Sequence, residues 1–416
     1  MQTNFDAIII GAGPAGSTAA ILLARAGWSV ALVEKQRFPR RKVCGECIAA
    51  SNLPLLEALG IGIEFDAHAG PPLHQVALMQ REQTIIANLP PAEFPRHAWG
   101  RALGRETLDT LLLGQARLAR TIVMQPWTVE SMEGTAGDHR CEIRSIESGK
   151  REILRAPVLI AANGSWESLP SGRATRRLGR RPSDLFAFKA NFRGSALTDG
   201  LLPVLSFKGG YGGMVVAGDG ITTLACCIRS DRLEALRREA PGMRAGDVVE
   251  DALKRDCRGV AEALRPARRE GEWLASGPIA PGIRLRYDDE HFRIGNAAGE
   301  AHPIIGEGMS MAIQSAWLLC SHLIFTKQEQ GIVGKAAWHR EVGHQYRADW
   351  RRHFAPRLRI AALFAHLAMR PAVSAPLFSM LSWAPPILTK GALISGKIRC
   401  AVDLETVALL ASGMAH

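Results

Sequence analysis

Hydrophobic and polar positions fall into distinct blocks along the first 34 residues. Ile8, Ile9 and Ile10 form a short continuous apolar run, which predicts a buried strand. Residues 17–26 are rich in alanine and leucine and predict a helix, which Gly27 would end. Residues 29–33 form a second apolar run. The chain is therefore expected to open with a strand, a turn, a helix and another strand.

The turn inside this unit is rich in glycine. It reads Gly11-Ala12-Gly13-Pro14-Ala15-Gly16, a G-x-G-x-x-G pattern. Gly11 permits the tight turn, Gly13 lets the backbone approach a pyrophosphate, and Gly16 lets helix and strand pack closely. Glu34 ends the second strand, where a carboxylate can accept a hydrogen bond from a ribose 2′-hydroxyl. Together these features predict a dinucleotide site, with phosphate at the positive N-terminus of the helix.

Two later apolar runs also end in turns that contain glycine. Residues 156–162 predict a buried strand that ends at Asn163-Gly164. Residues 292–309 include Gly295-Asn296 and Gly306-Glu307-Gly308-Met309, and an apolar helix is predicted over 310–325. Backbone N–H groups in such turns can hold further polar parts of the same ligand. The pattern therefore predicts three glycine junctions around one nucleotide.

The segments between the junctions predict a second sheet and several helices. Residues 74–79 and 84–89 alternate as half-buried strands and predict a hairpin, and residues 185–228 carry further strand patterns around Tyr211. Residues 122–129 are also strand-like. Helices are predicted over 104–120, 231–267 and 326–416, the last dividing at Ala355-Pro356. No uninterrupted run of 18 apolar residues is found, and no transmembrane helix is predicted.

Composition and charge describe a globular protein with a basic bias. The 416 residues are 47% hydrophobic and carry a formal net charge of +11. Such a charge favours an anionic partner, a membrane surface or an acyl carrier, but 41 of the 51 basic residues are arginine, which is typical of compositional bias. No nucleic-acid partner is expected. The absence of a signal-peptide pattern and of a disulfide framework predicts a cytoplasmic protein, with the inner membrane surface as a possible location.

The three junctions, in this order and spacing over about the first 325 residues, resemble the flavoproteins of the p-hydroxybenzoate hydroxylase and geranylgeranyl reductase superfamily. The resemblance implies FAD, with its ADP half at the first junction and Arg105 at a helix start nearby. It places residues 295–309 along the ribityl chain and beside the isoalloxazine ring. The expected cofactor-binding residues are Gly11, Ala12, Gly13, Pro14, Ala15, Gly16, Glu34, Lys35, Arg41, Cys44, Gly45, Arg105, Val129, Asn163, Gly164, Gly295, Asn296, Gly306, Gly308 and Met309.

Particular segments resemble particular branches of this superfamily. Residues 37–46 resemble geranylgeranyl reductases and flavin halogenases, and residues 303–309 resemble the reductases. A halogenase should carry a W-x-W-x-I-P stretch, and no segment between Trp166 and Trp273 supplies one, so halogenation is not expected. The family usually has aspartate where this chain has Asn163 and Asn296. Asparagine keeps the carbonyl acceptor but lacks the charge, and FAD binding should survive.

A flavin carries the redox chemistry itself, so the candidate catalytic residues are those that could wall its reactive edge. They are Pro303, Gly306, Glu307, Gly308 and Cys44. Tyr211 is a candidate substrate contact, with a surface hairpin aromatic as the alternative. His302 is interpreted as a structural histidine, with a proton donor as the alternative.

Cys44 and Cys47 form a C-x-x-C pair. No second C-x-x-C follows, so no metal is expected, and a dithiol that exchanges electrons with flavin is a minor alternative. We interpret Cys44 as lining the flavin and Cys47 as structural.

The expected fold class is α/β: a Rossmann-like FAD-binding domain, similar to that of glutathione reductase, with a mostly antiparallel β-sheet substrate domain and a C-terminal helical region. The domain ranges are 1–70, 100–180 and 271–325 for FAD, 71–99 and 181–270 for the sheet, and 326–416 for a helical cap. The leading function is that of an NAD(P)H- and oxygen-dependent monooxygenase of a hydrophobic aromatic, polyketide or isoprenoid small molecule. A reductase of C=C bonds and a flavin electron relay are the alternatives.

The segment 360–394 is apolar and follows a run of arginines, a combination typical of interfacial helices. Its apolar positions are Leu363, Phe364, Leu367, Leu377, Phe378, Leu381 and Trp383, and the preceding arginines are Arg347, Arg351, Arg352, Arg357 and Arg359. We expect this segment to cap the substrate cavity and to rest on a membrane or a lipid-like substrate. Packing on the FAD domain alone is the alternative.

Overall fold

A computed structural model describes residues 2–94, 96–165, 181–286, 290–330, 336–370, 372–373, 375–376, 389 and 400–412. Its strands are β1 (Ala7–Ile10), β2 (Val30–Val33), β3 (Cys47–Ile48), β4 (Gln75–Gln80), β5 (Gln83–Asn88), β6 (Arg101–Ala102), β7 (Ile122–Met124), β8 (Trp127–Thr135), β9 (Asp138–Ser145), β10 (Arg151–Ala156), β11 (Val158–Ala161), β12 (Leu185–Arg193), β13 (Leu201–Phe207), β14 (Gly210–Val216), β15 (Ile221–Arg229), β16 (Arg268–Ile279), β17 (Gly282–Ile283), β18 (Phe292–Arg293) and β19 (Gly299–Glu300).

The α-helices are α1 (Pro14–Arg25), α2 (Leu53–Ala58), α3 (Gly62–His68), α4 (Arg105–Leu118), α5 (Ser230–Glu239), α6 (Ala245–Asp256), α7 (Arg258–Leu264), α8 (Gly308–Gln330), α9 (Ala336–Ala368) and α10 (Leu404–Ser412). Short 3-10 turns occur at Ala50–Asn52, Gly218–Gly220, Gly295–Ala297 and Pro303–Ile305.

A parallel five-stranded sheet with the order β18-β11-β1-β2-β7 positions the glycine junctions. Its central strands are buried on both faces, as their continuous apolar runs predict. Helices α1, α4 and α8 pack together on one face, where the largest apolar core lies. On the other face, the antiparallel sheet β10-β9-β8 buries Ile8, Ile10 and Leu159 of the parallel sheet. The expected α/β class with a Rossmann-like sheet is confirmed.

The second large sheet has seven strands in the order β16-β12-β15-β14-β13-β4-β5. All its pairs are antiparallel except β13 with β4. Alternation along β12 separates its two faces: Phe188, Ala190 and Phe192 pack with α5–α7, whereas Leu185 and Ala187 pack with residues of the third junction and α9. The predicted hairpin over 74–89 is confirmed, although its turn is only Arg81-Glu82. Strand β16 crosses the expected domain boundary at residue 271.

Two sequence expectations about continuity are wrong. The strand-like run 122–129 divides at Gln125-Pro126 into β7 and β8, which belong to different sheets, because proline has no N–H to donate to a sheet ladder. Conversely, α9 continues through Pro356, where we expected a division. Pro356 is exposed, so water can satisfy the carbonyl that its missing N–H leaves without a helix bond.

Helix α8 passes beneath the junctions through the core. Its stretch Gly308–Lys327 is, by length and composition alone, apolar enough to cross a membrane, with a mean hydropathy of 1.3. However, 78% of the stretch is buried inside the protein. Such burial is typical of a core helix. A core helix meets the same criteria of length and composition as a membrane-spanning helix.

Candidate active site

The first junction is held by close contacts that only glycine allows. Gly11 has a φ of 100°, and a Cβ there would lie 2.6 Å from the carbonyl oxygen of Ala162. A Cβ on Gly16 would lie 1.8 Å from the carbonyl oxygen of Gly11. Gly13 differs, because its nearest neighbour would be the Arg105 guanidinium at 3.7 Å. Gly13 therefore leaves open backbone next to a cation, as phosphate binding requires.

Glu34 is buried and fixes the conformation of this junction. One carboxylate oxygen accepts the Ala12 N–H at 2.9 Å and the other accepts the Gln36 N–H at 2.8 Å. Arg40 lies 3.6 Å from the same carboxylate. Glu34 therefore orders the glycine turn, and its contact with a ribose hydroxyl stays a prediction.

Arg40 and Arg105 lie together at the first junction, whereas Arg41 lies between Glu106 of α4 and Gly271 of β16. Arg105 makes a two-point ion pair with Asp109, with both nitrogen–oxygen distances at 2.7 Å. Among the residues that the structure describes, the buried Arg40 Nε has no hydrogen-bond partner. A diphosphate would supply acceptors for such donors, so the residues present fit the pyrophosphate of FAD.

Lys42 connects this cationic group with the second junction. Its ammonium group lies 3.8 Å from the position that a Cβ on Gly164 would take. Burial, with smaller effects of the neighbouring Arg40 and Arg105, lowers the pKa of Lys42 to about 8 against the opposite effect of Asp109 and Glu34. Lys42 is therefore a desolvated cation held beside other cations, which an anionic ligand would stabilise.

The second and third junctions are joined through Ser165. The Asn296 amide donates to Ser165 Oγ at 2.7 Å, and Ser165 donates to Glu300 at 2.6 Å. The Gly295 N–H donates to Ser315 in α8 at 2.8 Å. An aspartate at position 296 would have no N–H to donate to Ser165 while ionised, so the asparagine has a structural role here. Gly164 and Gly295 both have positive φ.

The third junction turns through Pro303–Ile305 into Gly306, which has a φ of 67°. Cys47 contacts it, since a Cβ on Gly306 would lie 3.9 Å from Cys47 Sγ. Cys44 lies instead on the Arg105 side, and together with Asp109 it raises the pKa of Arg105 despite the lowering effect of burial. The thiol against the third junction is therefore Cys47, which we had interpreted as structural. All eight cysteines are free.

Glu307 points its carboxylate toward the C-terminal helices. It is fully buried and pairs with Arg357 of α9 at 3.4 Å, and Arg357 also donates to Gln314 in α8. Its side chain therefore ties the junction to α9, and any role beside the flavin falls to the backbone of Gly306 and Gly308. Met309 is buried in the core beneath the turn.

Tyr211 and His302 meet next to Pro303. Tyr211 is buried on β14, and its hydroxyl lies 3.0 Å from His302 Nδ1. Burial, with a smaller effect of His366, lowers the pKa of His302 to about 4. The ring is therefore neutral at pH 7, and its tautomer sets whether Nδ1 or the Tyr211 hydroxyl donates in the hydrogen bond between them. Apolar residues surround the pair, including Ala187, Cys227, Ile304, Ala361 and Ala365.

Sequence reasoning missed a buried polar group centred on Glu46. Its carboxylate accepts the Arg105 N–H at 3.1 Å and the Thr223 hydroxyl at 2.5 Å, and it pairs with Lys189 on β12. This group joins the loop before β3, the start of α4 and the second sheet. The sequence feature that could have revealed this group is Lys189, which lies inside the apolar run of β12. A buried lysine needs a partner of opposite charge.

The remaining predicted residues lie further from these groups or are less constrained. Val129 is half-buried in β8 and packs against the apolar cluster between the three-stranded sheet and the parallel sheet. A Cβ on Gly45 would meet open space. A largely apolar pocket opens beside Cys47, lined also by Leu73, Leu89, Trp99 and Leu202. In the part of the chain that the structure describes, no group of three or more His, Cys, Asp or Glu side chains is arranged to hold a metal ion.

A family model described as an FAD binding domain matches residues 4–334. The chain belongs to this FAD-binding family. The cofactor is therefore FAD, and the protein is an FAD-dependent oxidoreductase of the superfamily that the junctions resemble.

Known relatives of this flavoprotein are named for different activities. It is 26% identical to Conditioned medium factor receptor 1 of Dictyostelium discoideum over 83% of this chain and 69% of the relative. It is 24% identical to the 1H-pyrrole-2-carbonyl-(peptidyl-carrier protein) chlorinase of Pseudomonas fluorescens, over 77% and 76% of the two chains. The menaquinone reductase of Mycolicibacterium smegmatis matches over only 66 residues, 16% of each chain, at 42% identity.

Solved structures show the same fold. The myxobacterial chondrochloren halogenase superposes with a TM-score of 0.71 at 18% identity, covering 99% of this chain and 97% of that one. A probable FAD-dependent monooxygenase from Pseudomonas aeruginosa gives a TM-score of 0.65 at 19% identity, covering 91% and 99%. At these identities the likeness is one of fold alone.

The position of Lys42 predicts that FAD affinity falls as the pH rises above about 8. The pKa of about 8 belongs to the protein without FAD, and a neighbouring diphosphate favours the charged amine and raises this pKa. Below pH 8 the lysine is charged in both states, whereas above it FAD binding must take up a proton. Affinity should then fall by up to about tenfold per pH unit. Fluorescence titration with FAD from pH 7 to 9.5 measures this slope.

The matched variant is Lys42→Arg, because a guanidinium stays charged throughout this range and should flatten the slope. Lys150→Arg, at an exposed position, should keep the wild-type slope. An unchanged slope in Lys42→Arg would assign the proton to another group.

Proposed function

We propose that this protein is an FAD-dependent monooxygenase that hydroxylates an apolar aromatic, polyketide or isoprenoid small molecule, with NAD(P)H as the electron donor. The observation that carries the proposal is the buried Tyr211–His302 pair directly before Pro303. Hydroxylation converts the substrate C–H bond, O2, NAD(P)H and one proton into C–OH, water and NAD(P)+. The reaction consumes a proton, and the pair can relay one from solvent.

The protein's own residues would bind, orient and protonate. FAD, when bound, supplies the redox and oxygen chemistry. The His302 ring is neutral, and a neutral imidazole is too weak an acid to give up its N–H by itself, so the pair would act as a proton relay, in which one ring nitrogen takes up a proton as the other releases one. His366 is exposed on α9, and its ring centroid lies 5.8 Å from that of His302, which supports exchange of this proton with solvent. Apolar neighbours keep bulk water away from the pair.

A C=C reductase is the second candidate. It is supported by the likeness of residues 303–309 to the geranylgeranyl reductases. Halogenases are also among the relatives, and one of them is named for a carrier-bound pyrrole, but no W-x-W-x-I-P stretch occurs anywhere in this sequence. A carrier-bound substrate remains within our proposal, because an acyl carrier would only deliver the small molecule.

Mass spectrometry after turnover separates these functions. FAD-loaded protein is incubated with NAD(P)H, chloride or bromide, and a panel of free and carrier-bound apolar compounds, with and without oxygen. Hydroxylation adds one oxygen atom and requires O2, reduction adds two hydrogens without O2, and halogenation replaces hydrogen by halogen. The monooxygenase proposal fails if the product lacks the added oxygen. If NAD(P)H gives no product, photoreduced FAD is supplied instead, to test whether NAD(P)H is simply the wrong electron donor. If no donor gives a product, the result favours an electron relay.

The same assay tests the roles of Tyr211 and His302. Replacing His302 by asparagine should lower kcat about 100-fold, the usual scale for a lost proton-transfer group, with a smaller loss for Tyr211→Phe. The pH profile of kcat should change in both variants, because the proton source changes. Tyr346→Phe is the control, since it removes a buried hydroxyl that donates to the Arg293 carbonyl elsewhere. Unchanged profiles in both variants would remove the pair from the chemistry.

A further inference from the structure

The end of α9 carries an exposed surface that is both apolar and basic. Leu363 is 59% exposed, Phe364 is 41% exposed, and Val373 just beyond the helix is 55% exposed. Exposed arginines stand among these side chains. We name this surface the α9 face; its residues are Arg352, Arg359, Leu363, Phe364, Arg370 and Val373. Leu377, Phe378, Leu381 and Trp383, which the sequence also assigned to this region, lie outside the described residues.

Helical spacing explains why one helix carries this face and also walls the candidate active site. Arg352, Arg359 and Leu363 are separated by seven and four residues, so they share one stripe of the helix. Ala361 and Ala365 lie on the opposite stripe and are fully buried in the apolar cluster that contains Tyr211. The thickness of a single helix therefore separates the α9 face from the site.

The charge of this part of the chain is one-sided. Residues 350–402 contain eight lysines and arginines and no aspartate or glutamate, so 53 residues carry eight of the eleven net positive charges. The rest of the chain is nearly balanced. A general arginine bias would not by itself remove every acidic residue from one segment, so the imbalance marks an anionic partner for this region.

We propose that the α9 face binds the surface of an anionic lipid bilayer. Arginines can pair with lipid phosphates while Leu363, Phe364 and Val373 enter the acyl boundary, which is the arrangement of an interfacial helix. A bilayer accepts protruding apolar side chains at any position, whereas a folded acidic carrier protein must offer a complementary pocket for each. If the proposed function holds, an apolar substrate dissolved in the membrane would reach the protein at the helix that walls its site.

Flotation of the full chain with lipid vesicles tests this proposal without any activity measurement. We expect the wild type to float with vesicles of phosphatidylcholine and phosphatidylglycerol and to remain in the dense fraction with phosphatidylcholine alone. The double variant Leu363→Glu and Phe364→Glu should lower partitioning about tenfold or more, because two apolar anchors are replaced by charges that anionic lipid repels. Arg352→Gln with Arg359→Gln should weaken binding and reduce its dependence on anionic lipid.

The matched control is Ile63→Glu, which places the same charge on α3 at a side chain that is 86% exposed. It should float like the wild type, and melting curves should show all variants folded. The proposal is overturned if the wild type does not float, or if the double variant floats equally well. Binding to a purified acidic acyl carrier protein without flotation would identify a protein partner instead.

Discussion

Replacing Gly13 by valine should give a folded protein that no longer retains FAD. A Cβ at this position would have the Arg105 guanidinium as its nearest neighbour at 3.7 Å, an ordinary contact, so the fold itself has room for it. The branched side chain would occupy the open backbone that a pyrophosphate needs. We expect flavin occupancy to fall from near one FAD per chain to almost none, measured by the absorbance ratio at flavin and protein wavelengths.

Two other glycines make this result interpretable. Gly114→Ala in α4 meets nothing within 4 Å and should keep both fold and FAD. Gly16→Ala would force a Cβ to within 1.8 Å of the Gly11 carbonyl oxygen and should lower the melting temperature as well as FAD binding. Full flavin occupancy in Gly13→Val would refute the assignment of the first junction to the pyrophosphate.

The second large effect is a loss of stability in mild acid, caused by three buried histidines. His139 on β9, His291 before β18 and His339 at the start of α9 each have a buried Nε2 without a hydrogen-bond partner. Burial lowers the pKa of His139 and His339 to about 4 and that of His291 to about 3. Neighbouring histidines lower the pKa values of His291 and His339 further, as do Arg293 and Arg347. Glu290 and Asp138 have the opposite effect on the pKa of His139.

The sign of the effect follows from proton binding. Between pH 6.5 and about 4 the unfolded chain binds protons at these histidines and the folded chain does not, so acid favours unfolding. The free energy of unfolding should be unaffected by the three sites above pH 7 and should fall below pH 6.5. A tenfold difference in proton affinity is worth about 1.4 kcal/mol, so the total loss by pH 4 is on the order of 5–10 kcal/mol, comparable to a typical domain's stability.

Urea unfolding at pH 7, 6, 5 and 4.5 measures this slope. His339→Leu should make it shallower, because it replaces a desolvated imidazole that stacks on Phe292 by an apolar side chain. His344→Leu is the control, an exposed histidine on the same helix, and should leave the slope unchanged. If the free energy of unfolding of His339→Leu falls as steeply with acid as that of the wild type, the acid sensitivity belongs to other groups, such as the buried His302.

Features that depend only on neighbouring residues could be predicted from the sequence. The strand, glycine turn, helix and acidic strand end of residues 8–34 could be recognised because each step is a local rule of backbone conformation and periodicity. The same rules gave the hairpin over β4 and β5, the strands of the second sheet and the α/β class. Resemblance then supplied FAD, which the family match supports.

The folded structure was needed to show which distant side chains meet. Tyr211 and His302 are 91 positions apart, and Glu46 accepts from Thr223 across 177 positions. It also placed Cys47 rather than Cys44 against Gly306, and turned the Glu307 carboxylate toward Arg357. Local pattern assigns a residue to a face of its own strand or helix, whereas the partner across the interface depends on how the two sheets and α9 pack. That packing is set by apolar burial summed over the whole core. No single segment of the sequence contains enough information to specify it.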